Sequence, residues 1–257
     1  MAKLEWLGSG QYGGRDFTLD GPKRTVTGAL WRPRTCDTAT PLVLCGHGAS
    51  GDRYQKPIPH LAGRLQEHGC AVLAIDGPVH GLRQVGPGGR EAFAVEAQRE
   101  GFVDDMVEDW YTALAAMRGE LQLGLGALGY FGLSMGTIFG VPVLGKAARQ
   151  RDVAFTVAAI GLCGTSGAGS ALRQRLMADA AAMRMPVAFL MQLEDELFPR
   201  DGYLELFDAL ATADKRLHAN PGLHPEVPAE EVDFVCEFLR ARLFGDVPRR
   251  IVNPLAE

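Results

Sequence analysis

Five consecutive residues, Gly132-Leu133-Ser134-Met135-Gly136, set one hydroxyl between two glycines in the spacing G-x-S-x-G. An apolar run, Ala127 to Phe131, precedes them, and a helix-like segment, Thr137 to Arg149, follows. A chain that leaves a strand and enters a helix in so few residues must bend sharply. The residues two before and two after the serine then have no room for a Cβ. Oγ is left clear of the backbone at the C-terminal edge of a sheet, where it can attack an acyl carbon. A hydroxyl does so only when a base takes its proton and a third group orients the base.

Downstream of Ser134 the histidines are His218 and His224. His218 ends a predicted strand, whereas His224 lies in a turn-rich loop, Asn220 to Pro225, just before the last predicted helix. A loop position after the last strand suits a base that must reach across the sheet edge, so His224 is preferred and His218 is the alternative. The acid is sought after the apolar run that starts at Val187, among Glu194, Asp195, Glu196 and Asp201. Asp195 is preferred because it stands three residues before Phe198-Pro199, a step that can fix the loop; Glu194 comes next. Asp201 fits better as the cap of the following helix.

An oxyanion needs two preorganised N–H donors. Met135 N–H, at the start of the helix after the serine, is one candidate. Gly46-His47-Gly48-Ala49, directly after the apolar run 42–45, supplies the other, with Ala49 N–H as the expected donor. His47 is read as bracing that loop rather than as a base. Asp76-Gly77-Pro78-Val79-His80-Gly81 is read as a turn braced by its polar side chains, with Arg83 in the same role. The acids Asp104, Asp105, Glu108 and Asp109, set among apolar residues at helical spacing, are read as a solvated face rather than a metal site.

The elements that must position these groups follow from periodicity. Residues 1–14 are glycine-rich and read as an irregular lead-in. Arg15 to Leu19 and Thr25 to Arg32 predict an antiparallel hairpin around Asp20-Gly21-Pro22-Lys23. The wholly apolar run 42–45 and the run 71–76, apolar as far as Asp76, predict strands buried in the sheet, the first on both faces as in a parallel sheet. Further strands are expected over 127–131, 153–162, 187–191 and 215–218. Helices are expected over 59–68, 102–117, 137–149, 171–183, 203–211 and 230–243. Residues 82–101 read as a loop able to cover the site, and the tail from Gly245 to Glu257 as loosely held. Strands alternating with helices predict α/β architecture, a mostly parallel sheet with helices on both faces. Only about 24 residues separate the strand ending near 162 from Val187, the length of one helix and its loops, so little room is left for a cap domain. One domain spanning 1–257 is expected.

Bulk properties exclude several functions. The 257 residues carry a formal charge of −5 and show no basic face, which argues against nucleic acid as a partner. No run of about 18 apolar residues is present, so no membrane span is expected, and the N-terminus lacks the apolar core of a signal peptide. Five scattered cysteines without C-x-x-C spacing argue against a disulfide framework or a zinc site and for a reducing, cytoplasmic setting.

On Gly46-His47-Gly48, Asp76 to Gly81, Gly132 to Gly136, Asp195 and His224, in that order, the chain resembles the α/β-hydrolase superfamily over roughly residues 40–240. Within it, the chain looks most like the branch of dienelactone hydrolases and prolyl-oligopeptidase-like esterases. That resemblance implies an eight-stranded, mainly parallel sheet with a short cap, a Ser134–Asp195–His224 triad, and no metal or organic cofactor. Dienelactone hydrolases proper use cysteine where this chain has Ser134, so lactonase activity is not carried over. The expected function is cleavage of a small or medium-sized carboxylic ester through an acyl-enzyme on Ser134. Thioester, amide or carbon–carbon cleavage by the same triad, acyl transfer or perhydrolysis, and a non-catalytic binding role are the alternatives. The expected partner is a small-molecule ester, with self-association left open.

Overall fold

The structure, a computed structural model, describes residues 3–246. Its centre is one nine-stranded sheet. The strands are β1 (Leu4–Ser9), β2 (Arg15–Asp20), β3 (Thr25–Trp31), β4 (Leu42–Gly46), β5 (Ala71–Ile75), β6 (Leu128–Leu133), β7 (Phe155–Gly161), β8 (Val187–Gln192) and β9 (Lys215–Asn220), in the order β1-β2-β3-β5-β4-β6-β7-β8-β9. The first three are antiparallel, and the six from β5 to β9 run parallel. Every residue of β4, β5, β6 and β8 is buried, as wholly apolar strands in a doubly covered sheet must be. The charged strand β9 takes an edge, where Lys and Arg discourage further pairing.

Helices α1 (Ile58–Glu67) and α7 (Ala229–Leu243) cover one face, packing Leu61, Leu65, Val235 and Leu239 onto it. Helices α3 (Phe102–Leu121), α4 (Met135–Gln150), α5 (Arg173–Ala180) and α6 (Arg200–Ala209) cover the other, with Trp110, Val141, Leu144 and Leu206 inside. Each such side chain contributes roughly 1.5–3 kcal/mol through burial.

The structure corrects several expectations. The sheet has nine strands rather than eight, because residues within the supposed irregular lead-in form β1. Leu4 is buried there, and Trp6 packs edge-on against Phe17 at 6.1 Å beneath the Arg15 guanidinium. Residues 82–101 are not simply a loop: they hold helix α2 (Gly89–Glu96). The helix expected over 171–183 is a 3-10 turn, Gly167–Leu172, followed by the shorter α5. Asp201 lies in the first turn of α6 rather than at its cap, which is Pro199. Asp109 is not solvated; Arg24 and Arg83 close over it at 2.7 and 2.6 Å. Of the expected loose tail, residues 247–257 lie outside the described range.

Parallel strands bring their C-terminal ends to one edge, and register sets what meets there. Gly46 pairs with Gly132, so the loop after β4 starts level with the turn after β6. Gln192 pairs with Asn220, so the loops after β8 and β9 start level with each other.

Candidate active site

Ser134 joins β6 to α4 at φ +57°, ψ −120°, a backbone conformation that side-chain-bearing residues rarely adopt and that costs of order 1–3 kcal/mol. The turn is tight for the reason the glycine spacing suggests. A Cβ on Gly132 would lie 2.8 Å from the backbone of Gly136, and one on Gly136 would lie 2.4 Å from Gly46 O. Thr137, fully buried, fastens the bend. Its Oγ1 lies 2.7 Å from Gly132 O and 2.6 Å from Gly161 O and accepts Gly161 N–H at 2.9 Å. Ser134 N–H donates to Gly161 O at 2.9 Å, and Tyr130 O–H donates to Gly136 O at 2.6 Å.

The structure brings Ser134, His224 and Asp195 together from three separate loops. His224 Nε2 is 2.9 Å from Ser134 Oγ, and His224 Nδ1 is 2.7 Å from Asp195 Oδ2. The Asp195 side chain is 1% exposed. Burial alone would raise its pKa. Hydrogen bonds from His224, the Tyr203 hydroxyl and the N–H groups of Phe198 (2.9 Å) and Leu197 (2.8 Å) outweigh that and hold it below the usual carboxylate range. The acids beside it take other parts. Glu194 accepts Gly222 N–H, and Glu196 accepts His224 N–H at 2.9 Å, so three consecutive acids hold the histidine loop. Gln192 Nε2 adds bonds to Pro221 O and Glu226 O at 3.2 and 2.7 Å. His218 is not part of this group: its Nδ1 meets Glu231 at 3.0 Å and its ring stacks on Phe234 at 4.1 Å.

Ala49 and Met135 line the same cleft as Ser134 and His224. Met135 opens α4, so its N–H has no acceptor within the helix. The cleft is about 490 Å³, walled by apolar groups including Ile58, Phe93, Ile138, Leu162 and Phe198. Phe93 comes from α2, so the 82–101 segment does contribute to the roof; its ring meets those of Phe102 and Phe139 at 6.4 and 6.0 Å. Lys56 and Arg90, both exposed, line the cleft, and among the described residues no carboxylate does. Among the described residues no three His, Cys, Asp or Glu side chains group to hold a metal ion.

Asp76 is a structural brace. Fully buried, it accepts from Thr27 Oγ1 at 2.6 Å, Arg53 Nη1 at 2.9 Å and Leu82 N–H at 3.1 Å. Arg53 continues to Asp16 at 2.9 Å. Arg83 donates to Gly77 O and Asp109. Sequence reasoning missed Tyr203, Thr137 and the clamp by Glu196. Tyr203 stands eight residues from the carboxylate it serves, and no local pattern joins them. Thr137, a β-branched hydroxyl one step past the second glycine of the turn, carried a weak signal that could have been read.

No family model matches the chain, and no curated protein does. Solved structures do. A cold-adapted esterase from an Arctic intertidal metagenomic library, in its PEG-bound complex, is 34% identical, covering 89% of this chain and 93% of that one at a TM-score of 0.77. An acetyl xylan esterase from Paenibacillus sp. R4 is 18% identical over 94% of this chain and 88% of its own, with a TM-score of 0.69. A dienelactone hydrolase from Anabaena variabilis is 17% identical over 90% and 98%, with a TM-score of 0.64. The last two are alike in fold alone, whereas the first shares a third of its residues along nearly its whole length. This chain belongs to the α/β-hydrolase superfamily.

Proposed function

We propose that this chain is a serine esterase that cleaves small or medium-sized carboxylic esters through an acyl-enzyme on Ser134. The observation that carries the reading is the unbroken contact Ser134 Oγ–His224–Asp195, at 2.9 and 2.7 Å, opening on an apolar cleft of about 490 Å³. Ester rather than thioester or amide chemistry is favoured by the Arctic-library relative, an esterase at 34% identity.

His224 Nε2 takes the Ser134 proton as Oγ bonds to the acyl carbon, while Asp195 keeps Nδ1–H in place and offsets the imidazolium charge. The carbonyl oxygen, now negative, is met by the N–H of Met135 at the start of α4 and by that of Ala49 in the loop after β4. As the tetrahedral centre collapses, the bond to the alcohol oxygen breaks and His224 returns its proton to that oxygen. Water then repeats the sequence on the acyl-enzyme, releasing the acid and restoring Ser134. One domain over the whole chain and a reducing, cytoplasmic setting belong to the same reading. The continuous sheet and five unpaired cysteines, four of them buried, support these two points.

The test is hydrolysis of p-nitrophenyl esters from acetate to palmitate by the wild type and Ser134→Ala side by side. The variant should lose on the order of 10³-fold or more in kcat while melting like the wild type. A variant that keeps wild-type activity would overturn the mechanism.

A further inference from the structure

Two buried histidines that no step above uses hold the loop after β4. His47 and His80 are 3% and 2% exposed, and their rings meet edge to face at 5.1 Å. His47 Nε2 accepts Gly77 N–H at 2.7 Å, so that nitrogen carries no proton. The hydrogen is on Nδ1, which donates to Gly48 O at 2.8 Å. His80 has the opposite tautomer. Its Nε2 lies 3.0 Å from Ala49 O, an atom that only accepts, and its Nδ1 is buried without a partner among the described residues. Both rings are therefore neutral. Burial first, then the neighbouring His80, pushes His47 down to about 4; burial also lowers His80. The charged groups facing the pair are Asp76 and Arg83, with Asp52 also near His80.

The atoms they grip matter. Gly48 C=O and Ala49 N–H are the two ends of one peptide unit, and in a trans peptide they point in opposite directions. Anchoring the Gly48 oxygen on His47 turns the Ala49 N–H away from His47, and Ala49 lines the cleft that holds Ser134. His80 anchors the next carbonyl, so the peptide planes on both sides of the Ala49 Cα are held. The Gly48 N–H is bonded to Gln55 Oε1 at 2.7 Å and so is not offered to a substrate, whereas the Ala49 N–H belongs to the peptide whose oxygen His47 holds.

We propose that His47 and His80 are positioning residues of the oxyanion site: a pair of neutral imidazoles of opposite tautomer that hold the Gly48–Ala49 peptide with its N–H toward the substrate carbonyl. The proposal rests on the serine-esterase reading above. It gives the pair a task beyond filling the core. The hydrogen bond to Gly48 O also polarises the peptide, strengthening the donor at its far end.

Four variants test it. His47→Asn keeps a donor near the place of Nδ1 and His80→Gln near that of Nε2, whereas His47→Leu and His80→Leu keep bulk and remove the donor. For each, kcat and KM on a short-chain p-nitrophenyl ester are measured, together with the melting temperature. Inhibition by a trifluoromethyl ketone, whose adduct with Ser134 carries the oxyanion, is measured alongside. The Leu variants should lose about 10- to 10²-fold in kcat with KM within about threefold, short of the 10²- to 10³-fold loss for removing a donor outright. Ketone affinity should fall by a similar factor, and the amide variants should recover most of both. Leu variants with wild-type kcat, or amide variants as slow as the Leu ones while melting like the wild type, would overturn the proposal. If the Leu variants do not fold, the amide variants decide by the same criterion: recovery supports it and a tenfold loss refutes it. In 15N-histidine-labelled wild type, His47 must carry its hydrogen on Nδ1 and His80 on Nε2, and the reverse refutes the clamp whatever the variants do. Loss of Ser134 dependence would strike the esterase reading; an essential Ser134 with four wild-type-like variants would strike the clamp alone.

Discussion

Removing one oxygen from Tyr203 tests how Asp195 is kept ionised. The Tyr203 hydroxyl donates to Asp195 Oδ2, the oxygen that also faces His224 Nδ1. In Tyr203→Phe the ring keeps its contacts with Phe189 at 6.3 Å and Phe198 at 6.2 Å, so little but the hydrogen bond is lost. A hydrogen bond to a buried carboxylate contributes about 1.5–3 kcal/mol. At 1.36 kcal/mol per unit, that loss raises the folded-state pKa of Asp195 by about one to two units. In the wild type this pKa is depressed. Its contribution to stability is therefore full above the unfolded value of about 3.9 and is lost as pH falls through the folded value. The variant should be about 1.5–3 kcal/mol less stable at pH 7, a drop of several degrees in Tm for a chain of this size. The gap should narrow as pH falls through the variant's folded value and vanish below the wild type's, where both carboxyls are protonated. Urea unfolding of both proteins at pH 7, 5 and 3.5 measures it, and kcat at pH 7 should fall as the imidazole is held less firmly. A gap below about 0.5 kcal/mol at pH 7, or one that does not narrow down to the lowest pH at which both proteins stay folded, would refute the reasoning.

Two further outcomes follow from the site. Thr137→Val preserves shape but leaves the buried Gly161 N–H without its acceptor. It should cost about 1–3 kcal/mol and lower kcat by loosening the bend at Ser134, and a thermal-unfolding loss below about 0.5 kcal/mol would contradict that role. Among the described residues the cleft is lined by Lys56 and Arg90 and by no carboxylate. An acetate ester of a quaternary-ammonium alcohol should therefore be hydrolysed with kcat/KM at least about tenfold below that of its uncharged carbon isostere. Equal or better use of the cationic ester would show that the rim charges do not reach the substrate.

Much of the architecture was legible because it depends on short-range pattern. Runs such as Leu42-Val43-Leu44-Cys45 have no polar face to give to water, so they had to be inner strands of a covered sheet. The serine turn declared itself because close backbone approach leaves glycine little competition at Gly132 and Gly136. β1 was missed because glycines at 8, 10, 13 and 14 mask a six-residue strand whose outer residues are exposed. It is held by pairing with β2 rather than by its own alternation. Helix α2 was missed for a similar reason: the four residues Gly86 to Gly89 read as a break, and none of the helix is fully buried. Asp109 sits on a helix among acids that look solvated. It is buried only because Arg24 and Arg83, 85 and 26 residues away, arrive over it.

The sequence by itself determined the kind of fold, the tight turn at Ser134, and the order in which a serine, an acid and a histidine would come to one edge, since hydrophobic period and glycine sterics are local properties. Only the tertiary structure decided which acid and which histidine meet. Glu194, Asp195 and Glu196 stand side by side in sequence, yet the turn after β8 and the Gln192–Asn220 register send one to the imidazole and its neighbours to the backbone around it. The cleft likewise draws its walls from segments scattered between Gly46 and Val232, and their convergence is a property of the closed sheet edge that no single stretch of chain contains.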